Sequence, residues 1–317
     1  MRIGLDILGG DYAPEAAVKG ALLAAEELRE NETLVLIGPK DKAIEIMGGV
    51  DKIPARVEFV DTPEGIDMGA NPYKSYVSMP NATIPLGFQL LKEKKIDVFA
   101  SAGNTGAMMV GASTVIKSVE GVLRPAIAGI LPKPNGGLSI ILDVGLNPDA
   151  KPDVLLQYGV IGSLYAKYVY GIEHPEVAIL NIGEEPGKGN LVAKAAYELM
   201  TSCKQIIFKG NIEGSDFFKD SMPDVIVTDG FVGNIVLKQA EAFYVLLLKS
   251  HADKEFVERF NYENHGGSPV LGLNSNVLIA HGKSTPKAIK SLILQSRPIV
   301  EASLAAKFKV IFDDIQS

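Results

Sequence analysis

A chain of 317 residues carries a single cysteine, Cys203, and no tryptophan. One thiol forms no internal disulfide, so a stapled secreted scaffold is excluded and a reducing compartment fits best. Basic charge is also short: 31 Lys and Arg against 38 Asp and Glu give a net charge of -7. The overall cationic footprint of a nucleic-acid binder is missing, and no nucleic acid is expected as a partner. No run of about 18 consecutive apolar residues occurs, which argues against a membrane span. Asp6 and the Gly9-Gly10-Asp11 turn interrupt the N-terminus, so it lacks a signal-peptide layout and a cytoplasmic protein is expected. Metal and nucleotide motifs are absent as well. There is no H-E-x-x-H, and four scattered histidines with one cysteine give no zinc spacing, so neither metal nor cofactor is expected. Gly187-Lys188 is followed by Gly189 rather than the Ser or Thr of a P-loop. No G-x-G-x-x-G follows the first strand, and no G-x-S-x-G elbow offers a serine nucleophile.

What is present points to an α/β protein. Apolar residues make up 47% of the chain, enough for a large core, and no linker divides residues 1–317, which read as one domain. Short β-branched runs at Arg2–Leu8, Thr33–Gly38, Val57–Asp61, Asp97–Ser101, Leu138–Asp143, Val177–Ile182, Gln205–Phe208 and Val225–Thr228 read as strands. Most are apolar along their whole length, as strands covered on both faces must be. Helical patterns such as Glu15–Glu30 fall between most of them. Successive βαβ units in a three-layer α/β/α sandwich with a mostly parallel sheet follow. The proline-containing stretch Thr62–Pro85 reads as a long, irregular loop.

Residues 232–260 stand apart. Val236, Ala240, Phe243 and Leu247 repeat at helical spacing, Leu237, Tyr244 and Leu248 lie alongside, and Phe256, Val257 and Phe260 follow a polar break. This is the pattern of a protruding apolar helical hairpin, greasier than a surface helix needs to be. Its two readings are a core or subunit-interface helix and a membrane-surface contact through Phe243, Tyr244, Leu247 and Leu248.

Ligands of open parallel sheets bind beyond the carboxyl ends of the strands. Five such ends carry small, amide-rich or charged turns. They are Gly9-Gly10-Asp11; Gly103-Asn104-Thr105-Gly106; Gly145-Leu146-Asn147; Gly183-Glu184-Glu185-Pro186-Gly187-Lys188-Gly189-Asn190; and Asp229-Gly230-Phe231-Val232-Gly233-Asn234. Glycines let main-chain N–H groups approach an anion, helix N-termini favour negative charge, and asparagines add neutral donors. Lys188 adds a cation. The set suits a phosphate or a developing oxyanion. Each asparagine taken alone is more simply a helix cap. His281, before Gly282, is either near the site or a structural histidine. Glu184-Glu185 is either an acid/base pair or a solvated loop.

These segments, with Arg124-Pro125, Lys151-Pro152, Tyr262 through Gly272 and Ala280-His281-Gly282, resemble in ordered series the bacterial phosphate acyltransferases of the PlsX type. The resemblance runs almost the whole chain. Tyr12 stands where that family commonly has histidine, Leu146 where it has a small residue, and Met79-Pro80-Asn81-Ala82-Thr83-Ile84 replaces a lysine- and serine-containing run. The resemblance implies an isocitrate-dehydrogenase-like or phosphotransacetylase-like fold and a homodimer. It implies transfer of a fatty acyl group from acyl carrier protein to inorganic phosphate, giving acyl phosphate for phospholipid synthesis. It also implies peripheral association with the cytoplasmic membrane, where a membrane acyltransferase takes the product. Within that frame Asn104, Thr105, Gly106 and Lys188 are assigned to phosphate and Asn234 to the oxyanion, with Lys188 an equal candidate for the latter. Gly10, Asp11, Asp143, Asn147, Asn190, Gly233 and His281 complete the expected site. A phosphotransacetylase acting on acetyl coenzyme A, a metal- and NAD-dependent decarboxylating dehydrogenase of the same fold, and a non-enzymatic membrane scaffold are the competing readings.

Overall fold

The computed structural model describes residues 1–250 and 253–316, apart from the side chains of Phe256, Tyr262 and Gln316. In chain order the strands and helices are β1 (Arg2–Asp6), α1 (Glu15–Ala25), β2 (Thr33–Gly38), α2 (Lys40–Met47), β3 (Val57–Asp61), α3 (Pro72–Ser78), α4 (Thr83–Lys92), β4 (Val98–Ser101), α5 (Thr105–Gly111), β5 (Ala126–Pro132), β6 (Leu138–Leu142), α6 (Pro152–Tyr170), β7 (Glu176–Leu180), α7 (Leu191–Ser202), β8 (Ile207–Ile212), β9 (Val225–Val227), α8 (Gly230–Leu248), α9 (Lys254–Glu258), β10 (Ser268–Leu271), β11 (Asn276–Ile279), α10 (Pro286–Glu301) and α11 (Leu304–Gln316). The chain forms two compact units: Met1–Ser118 with Tyr262–Glu301, and Val119–Asn261 with Ala302–Ser317.

In the first unit the strand order is β3-β2-β1-β4-β11-β10, parallel except for β10. The chain leaves β1 toward β2 and later returns on the other side as β4. Right-handed crossovers of opposite direction put their helices on opposite faces. So α1 packs on α10 over one face, and α4 lies against β1, β2 and β4 on the other. The α1–α10 approach depends on Gly20, where a Cβ would meet the carbonyl oxygen of Pro286 at 2.8 Å and overlap Ile289. The point between β1 and β4 where the winding reverses is where an open sheet leaves a crevice.

The second unit has the order β5-β6-β9-β7-β8, parallel except for β5. From β6 the chain crosses over α6 toward β7, whereas from β9 it turns back through α8 toward β5 and β6. The winding therefore reverses between β6 and β9. Tyr158 and Tyr165 of α6 are fully buried over this sheet.

The expected mixed, mostly parallel α/β architecture with flanking helices is present, and the predicted strands all form. The reading missed β5, β10 and β11, two antiparallel pairings among them. It also placed β8 two residues early and ran α1 five residues too far. The Thr62–Pro85 stretch is not wholly irregular. Asn71 caps α3 by accepting from Lys74 N at 3.0 Å, Pro72 occupies its first turn, and α4 begins at Thr83.

The apolar segment starts earlier than expected. Asp229 caps α8 by accepting from Val232 N at 2.8 Å, and the helix runs 19 residues from Gly230. Helix α9 folds back on it, and Tyr244 turns inward, 7% exposed, with its hydroxyl 3.5 Å from Glu258 Oε1. Tyr244 is therefore not on the outer face. That face is made by Phe243, Val245, Leu246 and Leu248, with Leu247 half-buried. The turn of the expected hairpin at 251–252, and the side chain of Phe256, lie outside the described residues. Among the described residues α8 is the one helix long and apolar enough to cross a membrane by length and composition.

Candidate active site

Both winding reversals end in a buried aspartate. In the first unit Asp6 closes β1. Its carboxylate accepts from Ser101 Oγ at 2.7 Å and from Leu8 N at 2.9 Å, and Ser101 Oγ in turn accepts from Gly103 N at 2.9 Å. Gly9 fits against this cluster because it has no side chain: a Cβ would lie 2.6 Å from Gly103 N and 2.8 Å from Asp6 Oδ2. Burial pushes the Asp6 carboxyl above its ordinary range, with the Ser101 hydroxyl opposing. Next to it Gly10 takes φ +105° and Asp11 N donates to Gly282 O at 2.7 Å, which brings the His281-Gly282 turn beside the first strand end. His281 Nδ1 accepts from Lys283 N at 3.1 Å.

Asn104 is used differently from its assignment. Its Oδ1 accepts from Ala107 N at 3.0 Å and caps α5. Its Nδ2 donates to the carbonyls of Asp67, Met68 and Ala70 at 3.1, 3.1 and 3.2 Å. The side chain ties the 67–70 loop to the helix start and keeps no donor for a ligand. Thr105 is exposed and Gly106 half-buried in that first turn, and their main-chain N–H groups are what the turn can offer an anion.

In the second unit Asp143 follows β6 and is fully buried. It accepts from Ile127 N (2.9 Å), Leu146 N (3.0 Å), Asn147 N (2.6 Å) and Asn147 Nδ2 (3.2 Å). Burial raises its carboxyl and these four donors oppose the rise. Asn147 also donates to Pro125 O at 2.8 Å and accepts from Gly230 N at 2.8 Å, so it is a staple between the loop and the start of α8. Only glycine fits at the contact. A Cβ on Gly233 would overlap the Asp143 carbonyl oxygen, and one on Gly230 would lie 2.8 Å from Asp143 Oδ2. This seating aims Asn234 back at the strand-end turn, where its Nδ2 donates to Val144 O at 3.0 Å beside Gly145. One amide hydrogen of Asn234 remains for a ligand.

The turn after β7 lies beside β9 in the sheet order and carries Lys188. Asn181 Nδ2 donates to Asn211 Oδ1 (3.1 Å) and Lys188 O (3.2 Å), and Asn211 Nδ2 donates to Glu185 O (2.9 Å). This asparagine pair fixes the loop backbone while leaving the lysine side chain 49% exposed, its ammonium 3.8 Å from Glu185 Oε2. Asn190 accepts from Ala193 N at 2.8 Å and caps α7. The expected site residues thus fall into three groups: Gly10, Asp11, Asn104, Thr105, Gly106 and His281 in the first unit; Asp143, Asn147, Gly233 and Asn234 around β6 and β9; Lys188 and Asn190 after β7. Ser101, Asn181 and Asn211 were given no role from sequence. A polar residue at the end of an otherwise apolar strand was the available signal.

Comparisons with known proteins decide among the chemistries that this arrangement allows. The model of the family described as "Fatty acid synthesis protein" matches residues 1–249. A phosphate acyltransferase of Pelotomaculum thermopropionicum is 40% identical over 335 residues, spanning 100% of this chain and 96% of the relative. One from Salinibacter ruber is 38% identical, spanning 98% and 97%. The chain belongs to the phosphate acyltransferase family. It is an enzyme, an acyltransferase. A phosphotransacetylase from Streptococcus pyogenes shares the fold, with a TM-score of 0.67 and 18% identity over 97% of this chain and 94% of that one. Family membership sets aside the dehydrogenase and scaffold readings of the sequence and supports transfer of an acyl group to phosphate.

Proposed function

We propose that this phosphate acyltransferase takes a fatty acyl group from the thioester of acyl carrier protein and passes it directly to inorganic phosphate, giving an acyl phosphate for phospholipid synthesis. The observation that carries the direct route is the state of the residues a covalent route would need. Ser101 is buried with its hydroxyl donated to Asp6, and Cys203 sits at the end of α7 with Sγ 3.2 Å from Gln205 Oε1. Ser101 is sealed from substrate, its oxygen held between Asp6 and Gly103 N, and Cys203 faces an amide oxygen rather than a base.

Phosphate is a ready nucleophile and a thioester is an activated acyl donor. A phosphate oxygen bonds to the carbonyl carbon, negative charge collects on the carbonyl oxygen, and the carbon–sulfur bond then breaks. The thiolate leaves and takes a proton from solvent. The free N–H of Asn234 serves the oxyanion, and one such donor is worth about 2.7–4 kcal/mol. Lys188 serves phosphate; exchanging its long, exposed contact with Glu185 for a phosphate oxygen costs little, because such pairs are worth about 0–1 kcal/mol. Holding phosphate beside the carbonyl contributes up to roughly 7–11 kcal/mol.

The exposed apolar face of α8 supports two further parts of the reading, a homodimer and peripheral contact with the cytoplasmic membrane, where a membrane acyltransferase takes the product. Size-exclusion chromatography with light scattering tests the first and liposome flotation the second. The central test mixes purified protein, palmitoyl-acyl carrier protein and phosphate. Phosphate-dependent appearance of the free carrier thiol is expected. Thiol release that ignores phosphate, or release from acetyl coenzyme A alone, overturns the assignment.

A further inference from the structure

A groove of about 520 Å³, lined by neither Asp6 nor Ser101, opens in the first unit among the stretch before α1, the first turns of α1, helix α2 and the start of α10. Its size falls within the roughly 300–1,000 Å³ range of small-molecule sites. Strands β1, β2 and β11 are parallel to β4, so α1, α2 and α10 all begin at the same carboxyl edge of the sheet, and the groove lies at that edge. Tyr12 forms one wall, 56% exposed and next in sequence to Asp11. Ile46 and Pro286 give the groove an apolar floor.

Its charges are unevenly matched. Lys19 is held by Glu15 at 2.5 Å across one helical turn. Lys42 is exposed and makes no ion pair among the described residues. The groove therefore carries one uncompensated positive charge beside an aromatic wall and an apolar floor. A ligand that matches has a single anionic group and a flexible, partly apolar stem.

We propose that this groove receives the phosphopantetheine arm of the acyl carrier, with its phosphodiester against Lys42 and its stem lying over Ile46 and under Tyr12. The proposal rests on the carrier-thioester reading above. An arm bound there enters along the sheet edge that carries the Gly10-Asp11 turn. Lys42 sets the charge of the subsite, and Tyr12 and Ile46 set its width.

The test separates arm binding from catalysis. Titration calorimetry with free 4′-phosphopantetheine, whose terminal phosphate stands in for the carrier's phosphodiester, is expected to show binding to the wild-type protein, weakened at least tenfold by Lys42→Glu and by Ile46→Trp, which fills the floor. In the thiol-release assay, the ratio of kcat/KM for palmitoyl-acyl carrier protein to that for palmitoyl-N-acetylcysteamine, which has no phosphodiester, is expected to fall about tenfold in Lys42→Ala. Palmitoyl coenzyme A run in parallel distinguishes an arm on a carrier from one on a nucleotide. No binding of the arm to wild type, or equal affinity and an unchanged ratio in the variants, overturns the groove assignment while leaving acyl transfer standing. Arm binding with the expected losses but no phosphate-dependent thiol release overturns the transfer reading and leaves the groove.

Discussion

The two winding reversals are built alike and equipped differently. Each buries an aspartate at the end of a central strand, and each aspartate is raised by burial and steadied by nearby donors. In the first unit the polar side chains then close on one another: Ser101 on Asp6, and Asn104 on three carbonyls and a helix start. What remains for a ligand there is main chain and the exposed Thr105 side chain. In the second unit the aspartate locks its loop just as firmly, yet Asn234 and Lys188 sit beyond the lock with an amide hydrogen and an ammonium still to give. One reversal offers mainly shape and backbone donors; the other offers side-chain chemistry.

The strongest way to break this contrast is kinetic. Asn234→Ala is expected to lower kcat about 10²–10³-fold, and Lys188→Ala at least about tenfold, both with wild-type circular dichroism and unfolding midpoints. Near-normal turnover in either folded variant removes that residue from the chemistry. Asn104→Ala should behave in the opposite way. It loses a cap and the tie to the 67–70 loop, and urea unfolding is expected to show a loss of about 1–2 kcal/mol. A kinetic loss as large as that of Asn234 without any loss of stability would mean the first unit also works through its side chains.

A pH series sharpens the comparison at Asp6. Below the ordinary carboxylate range Asp6 is protonated whether folded or not and changes nothing. As pH rises the unfolded chain ionises freely while burial resists ionisation in the folded state, so wild type loses stability relative to Asp6→Asn. The advantage of the variant is expected to grow as pH rises out of the ordinary carboxylate range, read in paired urea titrations. A flat difference would show that Ser101 and Leu8 fully offset burial. The smallest effect belongs to Tyr158, whose buried hydroxyl has no hydrogen-bond partner among the described residues. Tyr158→Phe is expected to shift thermal stability by no more than about 0.5 kcal/mol, since nothing is left unpaired by the change.

The sequence was most legible where burial is uniform. Strands such as Leu34–Ile37 and Val225–Val227 are covered on both faces, so they appear as unbroken apolar runs. Strand β5 escaped because Gly129 interrupts it. That glycine is needed there, since a Cβ would press on Ile141 and Val144 at 3.1 Å, but a glycine reads as a break. Pro269 hid β10 in the same way. Glycine turns at strand ends were readable because their purpose is local. The partners of those turns were not: Ser101 meets Asp6 across 95 residues, and nothing in either neighbourhood encodes the meeting. Asparagines were ambiguous for a chemical reason. The amide that caps a helix is the amide that can hold an oxyanion; the occupied Nδ2 donors of Asn104 and Asn147 separate those two from Asn234, while Asn190 is set apart only by its Oδ1, which caps α7.

Asn234 and Phe243 ride the same helix, roughly 13 Å apart along its axis at 1.5 Å per residue. The proximal end is clamped by Gly230 and Gly233 against the Asp143 loop, and the distal end bears the uncovered greasy face. A rod held in this way is a lever. A load on Phe243, Leu246 or Leu248 would reach the turn that carries Asn234 through the helix itself, with no loop between them.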